Sequence, residues 1–251
     1  MNGQSWSFSV RQLVIPKKGN SPLECEDAVG VNMSKLRFCV ADGATEGFDS
    51  RRWARTLVKH WTAAVLPITT SERFEHWVNL VGERFKKRWE GQQLSWYAQE
   101  KAECGAFAAF IGLSFCEKQE HLFWHAIGLG DSCLFVRRAD QMVKSLPIDD
   151  PANFGNAPFL VASNPAVHRE QACAVFSDTV QSGDRFLLLT DAMAAWYLRS
   201  FRTEPTEALN FEELLAKGCD DEVRQLVTQR RIDGVLKNDD VAAMLISTEK
   251  S

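Results

Sequence analysis

The stretch at residues 36–47, LRFCVADGATEG, constrains the fold more than any other part of the sequence. An apolar run ends abruptly at Asp42-Gly43, and a helical pattern begins a few residues later. This arrangement predicts a buried strand that carries a carboxylate at its end. Because a carboxylate in such a place is poorly solvated, it requires a positive partner.

Three other segments also place acids beside an apolar strand pattern. Glu26-Asp27 precede AVGV, Asp191 follows RFLLLT, and Asp239-Asp240 precede VAAMLI. Four separated segments that bring carboxylates to strand ends predict a metal site. Carboxylates are hard oxygen ligands, and they suit Mg²⁺ or Mn²⁺ better than they suit zinc.

Two such ions, roughly 3.5–4 Å apart, can clamp a phosphate and acidify a bridging water, with no protein nucleophile required. Asp42 is the candidate bridging ligand, and the Gly43 carbonyl is open to a metal because no side chain blocks it. Taken singly, an acid at a strand end is more often a turn residue or a helix cap. The residues alone therefore leave two hypotheses open, a two-metal hydrolase and a set of structural acids.

Composition limits the classes of protein to which the chain can belong. Its 251 residues, 45% apolar and 25% charged, fit one large domain over residues 1–251. The net charge of −4 argues against a nucleic-acid surface and a polybasic membrane anchor. The seven cysteines form no CxxC pair, and the N-terminus has no signal-peptide pattern. We therefore expect a cytoplasmic protein with no membrane or nucleic-acid partner.

Hydrophobic periodicity gives the expected order of elements. Strands are predicted at about residues 5–12, 28–31, 36–41, 106–115, 121–130, 133–138, 173–176, 184–190 and 241–246. Helices are predicted at about residues 50–65, 72–89, 94–104, 191–199, 211–216 and 221–231, and residues 138–166 are expected to be mostly loop. This order favours antiparallel sheets with helices packed outside.

Five motifs carry a family resemblance. CEDAVGV, RFCVADGATEG, AIGLGDS, GDRFLLLTDA and KNDDVAAMLI occur in this order along residues 5–247. Their order and spacing resemble the metal-dependent Ser/Thr protein phosphatases of type 2C, and the match is closest to the compact bacterial branch. The resemblance implies an α+β fold, an αββα sandwich of two antiparallel sheets flanked by helix pairs. It also implies hydrolysis of phosphoserine and phosphothreonine by a hydroxide that bridges two Mn²⁺ or Mg²⁺ ions.

Position by position, the resemblance implies a role for each acid. Asp42 bridges both metals, Gly43 offers its carbonyl, and Asp191 and Asp239 complete the shell of the second ion. Asp42 and Asp27 are the candidate catalytic residues. The implied metal-binding set is Glu26, Asp27, Asp42, Gly43, Asp131, Asp191 and Asp239.

Within this set, Glu26 and Asp27 stand at the Glu-Asp pair of the family, which binds metal directly or through ordered water. Asp131 resembles the acid that helps to hold a third, weaker ion in many members. Ala195 stands where the family usually has another acid of that third site. The expected cofactors are therefore two Mn²⁺ or Mg²⁺ ions, with an incomplete site for a third.

The central motif also departs from the family. Where many members have Asp-Gly-His-Gly or Asp-Gly-Met-Gly, this chain has Ala44-Thr45 after the Asp-Gly pair. The histidine is thought to protonate the leaving group, so that role is unfilled here. A metal-bound water could serve instead, since a serine alkoxide requires only some proton donor.

The phosphate-binding arginine of the family has no counterpart, because Pro22 lies near its place. The candidates to replace it are Lys17, Lys18, Arg51 and Arg52. For any one of them, an ordinary solvated surface charge is the more common role.

The resulting hypothesis is a monomeric phosphatase whose partners are phosphorylated protein substrates and a cognate Ser/Thr kinase. A second hypothesis is a catalytically weak relative that binds and regulates a partner. The missing histidine and third-site acid favour this alternative, whereas the core acids oppose it. A third hypothesis is a two-metal nuclease or small-phosphoester hydrolase, which the acidic net charge does not support.

Overall fold

Two antiparallel sheets form the centre of the molecule. The computed structural model describes residues 5–45, 47–89, 96–155, 158–164, 166 and 173–250. The first sheet has, in spatial order, β1 (Trp6–Ile15), β11 (Val241–Lys250), β10 (Arg185–Leu189), β6 (Cys133–Arg138) and β7 (Gln141–Leu146). The second has β2 (Asp27–Asn32), β3 (Arg37–Gly43), β4 (Phe107–Lys118), β5 (His121–Leu129) and β9 (Ala174–Thr179), with β8 (Val161–Ala162) paired to β4.

Helices cover the outer faces of both sheets. The described helices are α1 (Ser50–Ala63), α2 (Ser71–Lys87), α3 (Trp96–Cys104), α4 (Asp191–Thr203), α5 (Pro205–Lys217) and α6 (Asp220–Ile232), with a short 3-10 turn at Pro151–Asn153. The helices α1 and α2 share a buried cluster with the second sheet, while α4, α5 and α6 share one with the first. None of these described helices is both long and apolar enough to be a membrane-spanning segment.

A third apolar cluster lies between the two sheets. It joins Phe38 and Val40 of β3 to Phe186 and Leu188 of β10 and to Met244 of β11. Because alternate residues of a strand point to opposite faces, each central strand supplies both this inner layer and an outer layer under the helices. The layers are therefore helix, sheet, sheet, helix, and the expected αββα sandwich is confirmed.

The structure corrects the expected elements in two places. Residues 138–166 are expected to be mostly loop, but they also contain β7 (Gln141–Leu146) as an edge strand and the short strand β8 (Val161–Ala162). An edge strand has one solvated side, and QMVKSL lacks the apolar alternation that reveals a buried strand. The helix expected to start at Phe211 begins at Pro205, which is suited to a first helical position. The expected start of α3 near Leu94 lies outside the described residues.

A buried ion pair ties α5 to the first sheet. Arg137 of β6 donates two hydrogen bonds from Nε to the carboxylate of Glu212, at 2.8 and 3.0 Å. The Tyr197 hydroxyl of α4 also donates to this carboxylate, which is fully buried. Both charges are removed from water, which is unfavourable for an ionised group. Each group therefore stays ionised only because its oppositely charged partner stabilises it.

Replacing Glu212 by glutamine should lower the free energy of unfolding by about 3–5 kcal/mol, because Arg137 would lose its buried counter-charge and keep only the exposed Asp140, 3.7 Å away. Glu213→Gln is the matched control, since Glu213 is half exposed and pairs with Arg185 at 2.6 Å. The control should lose less than about 1 kcal/mol. Urea unfolding measures both changes, and equal losses would show that burial of the pair does not matter.

Candidate metal centre

A cavity of about 320 Å³ opens where the ends of several strands meet. The acids that line it come from both sheets, since Asp42 ends β3 of the second sheet and Asp191 follows β10 of the first. Asp131 lies in the connection from β5 to β6, which passes from one sheet to the other. Its acidic lining is Glu26, Asp42, Asp131, Asp191, Asp239 and Asp240.

The pairing of β2 with β3 fixes the central acids. Asp27 lies directly opposite Asp42 in the antiparallel register, and the Gly43 amide donates to the Glu26 carbonyl at 3.3 Å. The backbone at Gly43 runs so close to α1 that an added Cβ would lie 2.7 Å from the Ser50 carbonyl oxygen. Glycine is therefore required here for packing as well as for an unhindered carbonyl.

Asp27 lies behind the cavity and is almost fully buried. Its Oδ2 accepts a hydrogen bond from the Thr190 hydroxyl at 2.7 Å, and that hydroxyl accepts one from the Ala242 amide at 2.8 Å. Its Oδ1 is buried without a hydrogen-bond partner among the described residues. A buried carboxylate oxygen without a donor is costly, and a bound cation would satisfy it.

Two further acids approach from the first sheet. Asp191 is the first residue of α4, and its Oδ1 accepts from the Ala192 amide at 2.5 Å. Asp239 lies in the turn before β11, and its Oδ1 accepts from the Asp240 amide at 3.0 Å. The ammonium of Lys237 contacts both acids, at 3.5 Å from Asp191 Oδ2 and 2.6 Å from Asp239 Oδ2.

Burial and mutual repulsion dominate the electrostatics of these acids. Burial raises the pKa of Asp42 well above its usual value, and the charges of Asp27, Asp191, Asp131 and Asp239 raise it further. Burial likewise raises the pKa of Asp27, which the hydrogen bond from Thr190 opposes. Divalent cations favour the ionised carboxylates, so they would compensate for this repulsion.

The same causes act on the acids at the rim. Burial and then the charge of Asp191 raise the pKa of Asp131 to about 6. Burial also raises the pKa of Asp191, against the attraction of Lys237. The pKa of Lys237 is raised in turn, chiefly by its hydrogen bond to Asp239. The cavity is therefore a region of concentrated negative charge, with the Lys237 ammonium among its described lining residues.

The donors fit Mg²⁺ or Mn²⁺ by their chemistry. Carboxylate oxygens and the Gly43 carbonyl are hard ligands, and the unpartnered Asp27 Oδ1 is aimed at no protein donor. In the described part of the chain, however, no three acid, histidine or cysteine side chains are arranged as a ready ligand set. Two of the acids have a protein cation as their partner instead, since the Lys237 ammonium contacts Asp239 and Asp191.

All seven residues of the expected metal-binding set therefore lie at this cavity, six of them in its lining and Asp27 directly behind Asp42. None of the four expected phosphate-binding cations is among its described lining residues. Lys17 Nζ lies 3.9 Å from Glu26 Oε2, and Arg52 pairs with Asp49 at 2.9 Å.

Sequence reasoning did not assign the roles of four residues that shape the cavity. Asp240 accepts from the backbone amides of Lys17 and Glu26 at 2.7 and 2.8 Å, so it anchors the loop before β2. Thr45 donates to Glu26 Oε2 at 2.6 Å. The other two are Thr190 and Lys237. The signals in the sequence were the place of Asp240 beside Asp239 and the position of Lys237 in the same acidic turn.

The comparison with sequence families identifies the chain. The sequence model of the protein phosphatase 2C family matches residues 18–231, so the chain belongs to that family. The family expected from the five motifs is thereby confirmed, and four of the five motifs lie within the matched residues. Among curated proteins, no significant match is found.

Solved structures share the fold at low sequence identity. The catalytic domain of the serine/threonine protein phosphatase PstP, in complex with two manganese ions, superposes with a TM-score of 0.62 at 12% identity, covering 97% of this chain and 100% of that one. The phosphatase MsPP from Mycobacterium smegmatis, in complex with cacodylate, gives 0.60 at 16% identity, with 95% and 97% covered. Stp1 from Staphylococcus aureus gives 0.60 at 14% identity, with 96% and 95% covered.

Asp131→Asn tests the raised pKa of this acid in the presence of EDTA. Between the ordinary value of 3.8 and about 6, the unfolded chain ionises Asp131 while the folded chain keeps it protonated. Stability of the natural chain therefore falls as pH rises through this window, and the asparagine variant avoids this loss. From about pH 4.5 to about pH 7.5, the variant should gain about 2 kcal/mol relative to the natural chain.

Urea unfolding at the two pH values measures this gain. Asp140→Asn is the control, because the Asp140 side chain is 89% exposed and carries no comparable burial. If the free energies of unfolding of Asp131→Asn and the natural chain differ by the same amount at both pH values, the raised pKa of Asp131 is contradicted.

Proposed function

We propose that this chain is a metal-dependent protein phosphatase that hydrolyses phosphoserine and phosphothreonine. One observation carries the proposal, which is the convergence of Asp42, Asp191 and Asp239 on a single cavity from both sheets. Membership of the protein phosphatase 2C family supports the same reaction class. The proposed substrates are phosphorylated proteins, the proposed partner is a cognate Ser/Thr kinase, and the proposed state is a cytoplasmic monomer.

The metal-binding residues in this proposal are Glu26, Asp27, Asp42, Gly43, Asp191 and Asp239, with Asp131 at the rim. When bound, two Mn²⁺ or Mg²⁺ ions supply an activated water and a positive clamp for the phosphate. A solved PstP structure contains two manganese ions, which supports this choice of metal.

The chain itself orients the ligands. Asp42 lies centrally, beside Asp27 in the strand register and within hydrogen-bonding reach of Asp191. Thr190 holds one oxygen of Asp27 and leaves the other without a protein donor, while Thr45 holds one oxygen of Glu26. These contacts restrict the carboxylates before a ligand arrives, so less ordering remains to be done on binding.

A regulatory role with weak catalysis is the second candidate. Two observations favour it: Ala44 and Thr45 offer no imidazole at the central motif, and Lys237 contacts two of the proposed ligands. Under this alternative, the cavity would bind a phosphorylated partner without turning it over.

The decisive assay is Mn²⁺-dependent release of phosphate from an aryl phosphate and from a phosphothreonine peptide. We expect release with both substrates, and we expect Asp42→Ala to reduce it by about 100-fold or more, because the central ligand is lost. Asp140→Asn is the control, since it removes an exposed acid that is not among the described lining residues of the cavity, and it should retain full activity.

Three other outcomes would reject the proposal. Bound Mn²⁺ without turnover of either substrate would favour the regulatory role. Cleavage of a nucleic acid in place of the peptide would favour a two-metal nuclease. Phosphate release that Asp42→Ala leaves intact would show that the chemistry occurs elsewhere.

A further inference from the structure

Lys237 makes a contact that the proposed reaction does not require. Its ammonium lies 2.6 Å from Asp239 Oδ2 and 3.5 Å from Asp191 Oδ2, at the edge of the cavity. These acids belong to different elements, the turn before β11 and the first turn of α4. The contacts of Lys237 therefore extend beyond its neighbour in sequence, Asp239. The lysine joins two carboxylates that come together only in the folded chain.

Lys237 contacts only some of the acids proposed to bind metal. Lys237 pairs with the two acids from the first sheet, whereas no cation of the described chain forms an ion pair with Asp27 or Asp42 of the second. Asp27 even retains a buried oxygen with no partner. The protein therefore supplies an ammonium to Asp191 and Asp239, whereas in the second-sheet half the described chain pairs a cation only with Glu26, through Lys17 at 3.9 Å.

The main chain holds Lys237 in place while its side chain stays free to move. The Asp239 amide donates to the Lys237 carbonyl at 2.9 Å, and Arg231 donates to the Asp239 carbonyl at 2.5 Å and to the Pro16 carbonyl at 3.1 Å. The Lys237 side chain itself is 66% exposed. A long, exposed side chain on a fixed turn can leave the acids without any change in the backbone.

An ammonium and a divalent cation cannot both contact the same pair of carboxylate oxygens, because their like charges repel at such separations. We propose that Lys237 is a built-in competitor for the metal at Asp191 and Asp239, so that this half of the centre binds its ion more weakly than the half at Asp27 and Asp42. The inference rests on the proposed function, since it takes these acids to be metal ligands. Its specific consequence is that the Lys237 side chain sets the metal concentration at which the site at Asp191 and Asp239 fills.

Calorimetric titration of the full chain with Mn²⁺ tests the inference without any need for turnover. The natural chain should bind two ions, one more weakly than the other. Lys237→Ala should lower the weaker dissociation constant by about threefold to fivefold, the range expected for loss of an exposed ion pair, and leave the tighter one unchanged. Lys237→Met should act in the same way, because it keeps the length of the side chain and removes only the charge.

Lys217→Ala is the matched control. Its side chain is 68% exposed and lies 4.0 Å from Glu213, so the substitution removes the same net charge and a comparable ion pair elsewhere. Both dissociation constants should remain at their natural values. A gain equal to that of Lys237→Ala would show that net charge alone governs the affinity and would overturn the inference.

The remaining outcomes separate this inference from the proposed function. An unchanged weaker constant in Lys237→Ala would overturn the inference, and so would an unchanged Mn²⁺ affinity with a higher KM for aryl phosphate, which would assign Lys237 to the phosphate. Tighter Mn²⁺ binding with no phosphate release from either substrate would support the inference and reject the phosphatase. Absence of Mn²⁺ binding in both proteins would reject both.

Discussion

Repulsion among buried carboxylates is the constraint on which the rest of this structure depends. Asp27 and Asp42 are held side by side where burial and neighbouring negative charge both raise the pKa of each acid. A fold tolerates such an arrangement only when other interactions hold the chain in place. Here the tight β2–β3 register, the packing of Gly43 against α1 and the apolar layers on both sides of the sheets provide that support. The protein is thus stabilised away from the cavity and strained electrostatically within it, as is common for functional sites.

The two sheets contribute differently to the cavity. The second sheet supplies Asp27 and Asp42 from adjacent strands, so their separation is fixed by backbone pairing. The first sheet supplies Asp191 and Asp239 from a helix start and a turn, which are positioned by local hydrogen bonds instead. Asp131 lies on the crossing between the sheets. The first-sheet acids are also the ones that the exposed Lys237 side chain contacts.

Much of the fold was predictable because its central strands are strongly apolar. RFLLL and RFCVA could only be buried, and the tryptophans of α1 repeat at helical spacing. The edge strand β7 was not predictable, since QMVKSL shows too little apolar alternation for such a prediction, whereas β1 at the other edge of the same sheet alternates clearly. Pro205 also concealed the start of α5, because the apolar stripe of that helix becomes visible only from Ala208 onward.

The acids of the candidate site were predictable from their places beside strands, but their supporting residues were not. Thr190 and Thr45 act through single hydroxyl groups whose partners lie far away in the sequence. Asp240 has the same local context as Asp239, and only the folded chain shows that its carboxylate caps backbone amides. The four basic candidates were chosen near Glu26 and Asp42, whereas the ammonium that lines the cavity is that of Lys237, two residues before Asp239.

The hydrogen bonds of Thr190 link the sheets at the point where their spacing matters most. Its hydroxyl donates to Asp27 in one sheet and accepts from Ala242 in the other, so the distance between the two groups of acids follows the alignment of the sandwich. A small slide of one layer over the other would be transmitted to the carboxylates through a single side chain. Substitutions in the apolar layer between the sheets are therefore expected to shift the acids of the cavity, even when they lie far from it. In such a protein, a substitution in the apolar interior would misalign the carboxylate oxygens of the cavity before it unfolds the chain.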